Sequence, residues 1–222
     1  MSSRSFIQDK IISAAKSAGR NDVPQLVAVS KMQPVESILL LYREGQRVFG
    51  ENYVQELIEK KRELDHKNIS DIDFHFIGHL QTNKVKSVLP CVSTVHSVDS
   101  VKLYQELGKR AKEIQKIIGV YFQVNLDLEE SKGGFPPDEL TALSEAVSAT
   151  PFEWIRPLGL MTIPNPELDP VESFKRMRIL SQKHRDVLGP QLSMGMSKDF
   201  EVAITYGSNS VRIGTALFGP RV

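Results

Sequence analysis

The stretch 25–52, QLVAVSKMQPVESILLLYREGQRVFGEN, holds one complete strand–helix–strand unit. Its opening residues, 25–31 (QLVAVSK), form an apolar run of strand length that closes on a lysine. Pro34 then stands where a helix opens, because the first N–H of a helix has no intrahelical partner to lose. Ile38, Leu41 and Tyr42 share one helical face, and Gly45 supplies the stop. A second strand-like run, 47–52 (RVFGEN), follows. Two strands joined through a helix pair in parallel by a right-handed crossover.

The alternation continues outward from this unit. Strand patterns at 73–78, 92–98, 119–125, 155–161, 191–197 and 210–218 are separated by helix patterns at 53–64, 82–89, 100–118, 137–149, 170–188 and 198–206. Upstream, Phe6, Ile7, Ile11 and Ala15 recur at helical spacing and predict an additional helix. Eight strands, each but the last followed by a helix, predict an α/β fold. The expectation is a single (β/α)8 TIM barrel over 1–222 with an extra N-terminal helix. A doubly wound open sheet is the alternative. No linker-like tract, repeat or break in composition divides the 222 residues.

Charge and cysteine usage exclude several function classes. Twenty-eight Lys and Arg against 27 Asp and Glu leave a net charge of +1, no basis for binding nucleic acid or an anionic membrane. A single cysteine, Cys91, excludes an intramolecular disulfide and a Cys-rich metal site, and reads as a reducing, cytoplasmic setting. No apolar run approaches the ~18 residues of a membrane span, and the start of the chain lacks an apolar signal core.

In such a barrel the functional side chains gather at the carboxyl ends of the strands. Lys31 ends the first strand, where a partly desolvated amine becomes a nucleophile toward carbonyls; a solvated strand-end lysine is the plainer reading. Ser197, with Lys198 and Asp199, opens the helix after the seventh strand, and Gly214 and Thr215 lie in the eighth. The loops after these two strands are the usual phosphate site of the fold, although capped turns would look alike. A lysine on one side and a phosphate site on the other suggest pyridoxal 5′-phosphate (PLP) held as a Schiff base. His75, His79 and His96 lack a completing ligand set, so no metal is expected, and His75 and His79 read as pocket-wall or loop hydrogen-bonding residues. Cys91 reads as an inert small residue, and Lys60, Lys61 and Arg62, interleaved with glutamates, read as a solvated helix face.

Eight segments, in order over almost the whole chain, carry a family resemblance. They are 27–31 (VAVSK), 49–53 (FGENY) with Gln55 and Glu56, 75–84 (HFIGHLQTNK), 124–125 (VN), 130–132 (ESK), 159–163 (GLMTI), 192–197 (LSMGMS) with Asp199, and 212–219 (RIGTALFG). The chain resembles the pyridoxal-phosphate homeostasis protein family, a single barrel like the N-terminal domain of alanine racemase. The resemblance implies PLP held as an internal aldimine on Lys31, phosphate contacts from Ser197, Gly214 and Thr215, Arg212 facing the pyridine nitrogen, and Asn52 lining the pocket. It assigns no catalytic residue. The implied role is to carry or buffer PLP, and so to affect amino-acid and keto-acid balance, without robust turnover. The implied partners are PLP, amino acids and, transiently, PLP-dependent apo-enzymes, and the implied state is a monomer.

The chemistry of those residues agrees with that role. A permanent cation facing the ring nitrogen disfavours its protonation and weakens the electron sink, while exchange with free amines persists. The second, β-rich domain of the racemases has no counterpart in the resemblance, so a low-activity amino-acid racemase is the alternative. A Schiff-base enzyme working without PLP is a third reading. Met32 and Gln33, Asp127 and Leu128, and Asn165 depart from the usual family pattern and read as loop features away from the cofactor contacts.

Overall fold

The computed structural model describes residues 2–129 and 132–219; Glu130 and Ser131 of the 130–132 segment lie outside the described residues. Eight parallel strands form its centre: β1 (Gln25–Val29), β2 (Val48–Glu51), β3 (Asp73–Phe76), β4 (Thr94–Val98), β5 (Ile118–Gln123), β6 (Ile155–Met161), β7 (Gln191–Ser193) and β8 (Ser210–Ile213). Each pairs with the next in sequence order, and β1 pairs with β8 from Gln25↔Ser210 to Ala28↔Ile213. The sheet is therefore a closed barrel, as the strand–helix alternation predicts, and not an open sheet.

The helices are α1 (Ser3–Ser17), α2 (Val35–Arg43), α3 (Val54–His66), α4 (Val85–Val88), α5 (Val101–Glu113), α6 (Leu140–Ala149), α7 (Pro170–Leu188), α8 (Phe200–Thr205) and α9 (Thr215–Phe218). Their ends follow the capping chemistry of the sequence. Ser2 accepts from the Ser5 N–H, Ser100 from Leu103 and Asp169 from Val171. Pro34 precedes α2, and Gly45 past its end sits at φ +90°, where glycine is unstrained. Helix α1 buries Ile7, Ile11 and Ala15 and packs on α8 and α9; Phe6 faces outward instead of joining that stripe.

Several expected boundaries move. The pattern at 82–89 is a 3₁₀ turn, the single turn of α4 and a second 3₁₀ turn at Leu89–Cys91, where Pro90 prevents continuation. Helix α5 stops at Glu113, because Ile118 already pairs with Ile155. The runs at 25–31, 191–197 and 210–218 pair only as far as Val29, Ser193 and Ile213. Residues 215–218 are helical, not strand, and α8 begins at Phe200, so residues 197–199 form a turn before it.

The outer layer of the core is apolar, with Phe49, Phe74, Phe76, Phe122, Leu57 and Leu64 packed between barrel and helices. The inside of the barrel is different. His96 of β4 reaches Ser193 of β7 three strands away, which is possible only across the interior. His75, Tyr121 and Arg212 are buried with it, where branched aliphatic side chains usually fill the layers.

Candidate functional site

A cavity of about 500 Å³ opens at the carboxyl ends of the strands. Lys31, Asn52, Ser197, Arg212, Gly214 and Thr215, contributed from the ends of β1, β2, β7 and β8, all line it. Its size suits a small ligand. The loop between β6 and α7 supplies another wall, with Ile163, Pro164, Asn165 and Leu168. Asn165 thus belongs to the cavity, a correction to its reading as a remote loop departure: the loop folds over the barrel mouth.

Lys31 is half-buried in a tight turn after β1. Gln33 N–H donates to Ser30 O across that turn, and Met32 takes a left-handed φ of +59°. The Met32 N–H donates to Glu56 Oε1. Beneath the turn, Lys60 Nζ donates to Ser30 O at 2.7 Å, Glu51 Oε1 at 2.8 Å and Glu56 Oε1 at 2.5 Å. Ser30 Oγ donates to the same Glu51 oxygen at 2.6 Å. Lys60 is therefore no part of a solvated face; it is buried, on the stripe Leu57, Lys60, Leu64 that α3 turns to the barrel. Burial pushes the Glu51 carboxyl upward, and the Lys60 charge and hydrogen bonds only partly offset it.

Asn52 stands one residue past β2 with its Oδ1 buried and, among the described residues, without a hydrogen-bond partner. An orphaned buried acceptor costs about 1–3 kcal/mol, which a donor on a bound ligand would recover. Gly78 holds Asn52 in place by close packing: a Cβ there would lie 2.2 Å from the Asn52 carbonyl oxygen.

Arg212 is buried at the cavity wall. Its Nη1 donates to Ser193 Oγ at 2.5 Å and its Nη2 to Thr162 O at 2.8 Å. Burial lowers its pKa to about 10, with Asp199 and Tyr121 opposing, so it stays a cation at neutral pH. Thr215 Oγ1 donates to Ser197 Oγ at 3.3 Å, placing two hydroxyls side by side. Asp199 Oδ1 accepts from the Met196 N–H at 2.6 Å and fixes the turn that presents Ser197.

The remaining candidates separate. His75 and His96 are buried inside the barrel, 2.9 Å apart from Nδ1 to Nε2, whereas His79 is exposed and pairs with Asp99 at 3.0 Å. Cys91 is half-buried, and burial pushes its thiol upward. Among the described residues no three His, Cys, Asp or Glu side chains group to hold a metal, and no helix is long and apolar enough to cross a membrane. Sequence reading gave no role to Ser193 or Tyr121 and placed Lys60 on a solvated face. Their signal was a polar residue at an inward or apolar-stripe position, visible only once each face is assigned.

Comparison with known proteins places this geometry. The family described as "Alanine racemase, N-terminal domain" matches residues 7–222. A pyridoxal phosphate homeostasis protein of Aquifex aeolicus is 43% identical, over 98% of this chain and 96% of its own. PipY of Synechococcus elongatus, solved with PLP bound, is 34% identical, with a TM-score of 0.77 over 94% of this chain and 100% of its own. An alanine racemase of Clostridium difficile shares the fold at 17% identity, with a TM-score of 0.70 over 96% of this chain and 56% of the racemase. Sequence likeness along nearly its full length and a shared barrel agree: the chain belongs to the pyridoxal phosphate homeostasis protein family, built on the alanine racemase N-terminal domain.

Proposed function

We propose that this chain, as one barrel unit over 1–222, binds PLP in the cavity at the barrel mouth and carries or buffers it, without robust turnover. The observation that carries the reading is the convergence on one cavity of an amine, a buried cation, paired hydroxyls and the orphaned Asn52 acceptor. The names of the Aquifex and Synechococcus relatives point the same way. PLP supplies an aldehyde that condenses with amines and a ring that can act as an electron sink.

Each residue has a role in this reading. Lys31 offers the amine. Ser197, Thr215 and the backbone at Gly214 and Thr215 cradle the phosphate, since the first N–H groups of α9 have no partner inside that turn. Arg212, a donor at every N–H, faces the ring nitrogen and keeps a proton from it. Ile163, Pro164, Pro166 and Leu168 on the loop wall exclude water but move no proton, which favours a carrier over a racemase. On this reading the protein works as a cytoplasmic monomer and exchanges PLP with amino acids and apo-enzymes.

The test is absorption of the purified protein, borohydride reduction and peptide mapping by mass spectrometry. A yellow protein with the reduced adduct on Lys31 is expected; a protein left unmodified after PLP is added refutes the reading. Incubation with L-alanine or L-serine in deuterated buffer separates the two functions. The carrier shifts its spectrum without fast α-proton exchange, and the racemase shows that exchange.

A further inference from the structure

A continuous polar path runs through the barrel from the cavity toward its amino end. Arg212 Nη1 donates to Ser193 Oγ at 2.5 Å. Ser193 Oγ lies 2.8 Å from His96 Nδ1, and His96 Nε2 lies 2.9 Å from His75 Nδ1. His75 Nε2 lies 3.4 Å from Asp73 Oδ2, which is partly exposed at the start of β3. Four strands contribute to this path, and it occupies space that such barrels usually fill with aliphatic side chains.

Only one order of protons satisfies every link while His75 is neutral. A guanidinium only donates, so Ser193 Oγ accepts from Arg212. At the other end Asp73 is an acceptor. Burial would raise its pKa, but hydrogen bonds from His75 and Ser93 and the nearby Lys116 charge lower it overall. His75 therefore carries its proton on Nε2 and accepts at Nδ1. His96 must then donate from Nε2 and accept at Nδ1 from the Ser193 hydroxyl. His96 remains neutral throughout, because burial and the charges of His75 and Arg212 push its pKa well down.

We infer that Ser193, His96 and His75 are positioning residues for Arg212, joined in a single hydrogen-bond order that a proton on His75 reverses. The inference rests on the place of Arg212 in the proposed PLP site. The reversal takes up one proton in all: His96 Nε2 passes its proton to His75 Nδ1, His96 Nδ1 takes the Ser193 hydroxyl proton, and Ser193 Oγ is reprotonated by water, so that His75 ends doubly protonated and His96 neutral. Ser193 Oγ now accepts from both His96 and Arg212 and turns its own hydroxyl away, so the cooperative chain that holds the guanidinium is broken. The titratable groups that face His75 are the Asp73 carboxylate on its own strand and the neutral His96 ring on β4. Lys116 acts through Asp73, and Arg212 on β8 acts through His96.

Two measurements on the full chain test this. In ¹⁵N-labelled protein free of PLP, His96 is expected with a bare Nδ1 in mildly alkaline buffer, and its tautomer is expected to exchange as His75 takes up its proton. A His96 that already carries its proton on Nδ1, or that keeps one tautomer across the His75 titration, overturns the inference. In PLP-loaded protein, the cofactor absorption band is expected to move over the same pH range. His96→Phe should abolish that movement and speed PLP release about tenfold, the scale of one lost hydrogen bond to a charge. His96→Gln should restore both, and an unchanged pH response in His96→Phe overturns the inference. If PLP does not bind at all, the proposed function fails, and the NMR titration still decides the proton order.

Discussion

Replacing Lys60 by methionine tests what holds the Lys31 turn. The substitution keeps the aliphatic stem and removes donations to Ser30 O, Glu51 Oε1 and Glu56 Oε1. It leaves Glu51 fully buried, with Ser30 Oγ as its remaining donor to Oε1. Breaking a buried ion pair from one side costs about 3–5 kcal/mol. The lower end applies here, because a carboxyl already pushed up by burial escapes part of the cost by taking a proton. That gives about 3 kcal/mol at pH 8, or a melting temperature lower by roughly 10 °C in a chain of this length. The pH dependence has a definite sign. Folded Glu51 binds a proton more readily than unfolded Glu51, so its burial costs nothing below the unfolded pKa and increasingly more as pH rises. The deficit of Lys60→Met should therefore shrink as the pH falls from 8 to 5. Adding Glu51→Gln should recover most of it. Urea unfolding at both pH values reads these quantities. A loss at pH 8 below about 1 kcal/mol, the scale of an exposed ion pair, would refute the reasoning and return Lys60 to a solvated face.

Three further outcomes follow from the same geometry. Asn52→Leu should stabilise the PLP-free protein by about 1 kcal/mol, by removing an orphaned buried acceptor, and weaken PLP binding about tenfold; denaturation and absorbance titration check the opposed signs. Gly78→Ala should lower stability by about 1–3 kcal/mol and cut PLP uptake, because its Cβ would meet the Asn52 carbonyl oxygen at 2.2 Å; an equally stable, PLP-competent variant would contradict the packing. His96, held neutral in the fold, is protonated below about pH 6.5 in the unfolded chain, so its share of stability is present above that pH and is lost below it at about 1.4 kcal/mol per unit. His96→Gln should flatten that acid slope, as urea midpoints between about pH 6 and pH 5 would register.

The order of strands and the barrel were legible because each βα unit carries its own punctuation. Pro34, Gly45, Ser100 and Pro170 mark helix ends by local chemistry that tertiary packing did not override. Strand ends were less legible. Met194 and Ile213 are both buried and apolar, yet only the second lies in a strand: Met194 N–H still donates to Ser210 O, but Gly195, at φ +95°, bends the run out of the strand. The six cavity residues were readable from strand-end position and family resemblance together. Lys60 was misread through its charge although its spacing from Leu57 and Leu64 places it on the buried face of α3. The path through His75, His96 and Ser193 joins β3, β4 and β7, and a contact across a barrel leaves no periodicity along the chain.

The seam where β1 meets β8 sets an order of events during synthesis. β1 leaves the ribosome early, but one of its two flanking strands begins only at Ser210. Until then its N–H and C=O groups on that side form an open template for pairing with another chain. Helix α1 waits as well, since the elements it packs on, α8 and α9, are also made late. Helix α1 and β1 are thus made well before the elements that lock them, which makes maturation slow and exposed to misassociation. A lesion near the end of the chain should first appear in amide hydrogen exchange at the beginning, as lost protection in α1 and β1.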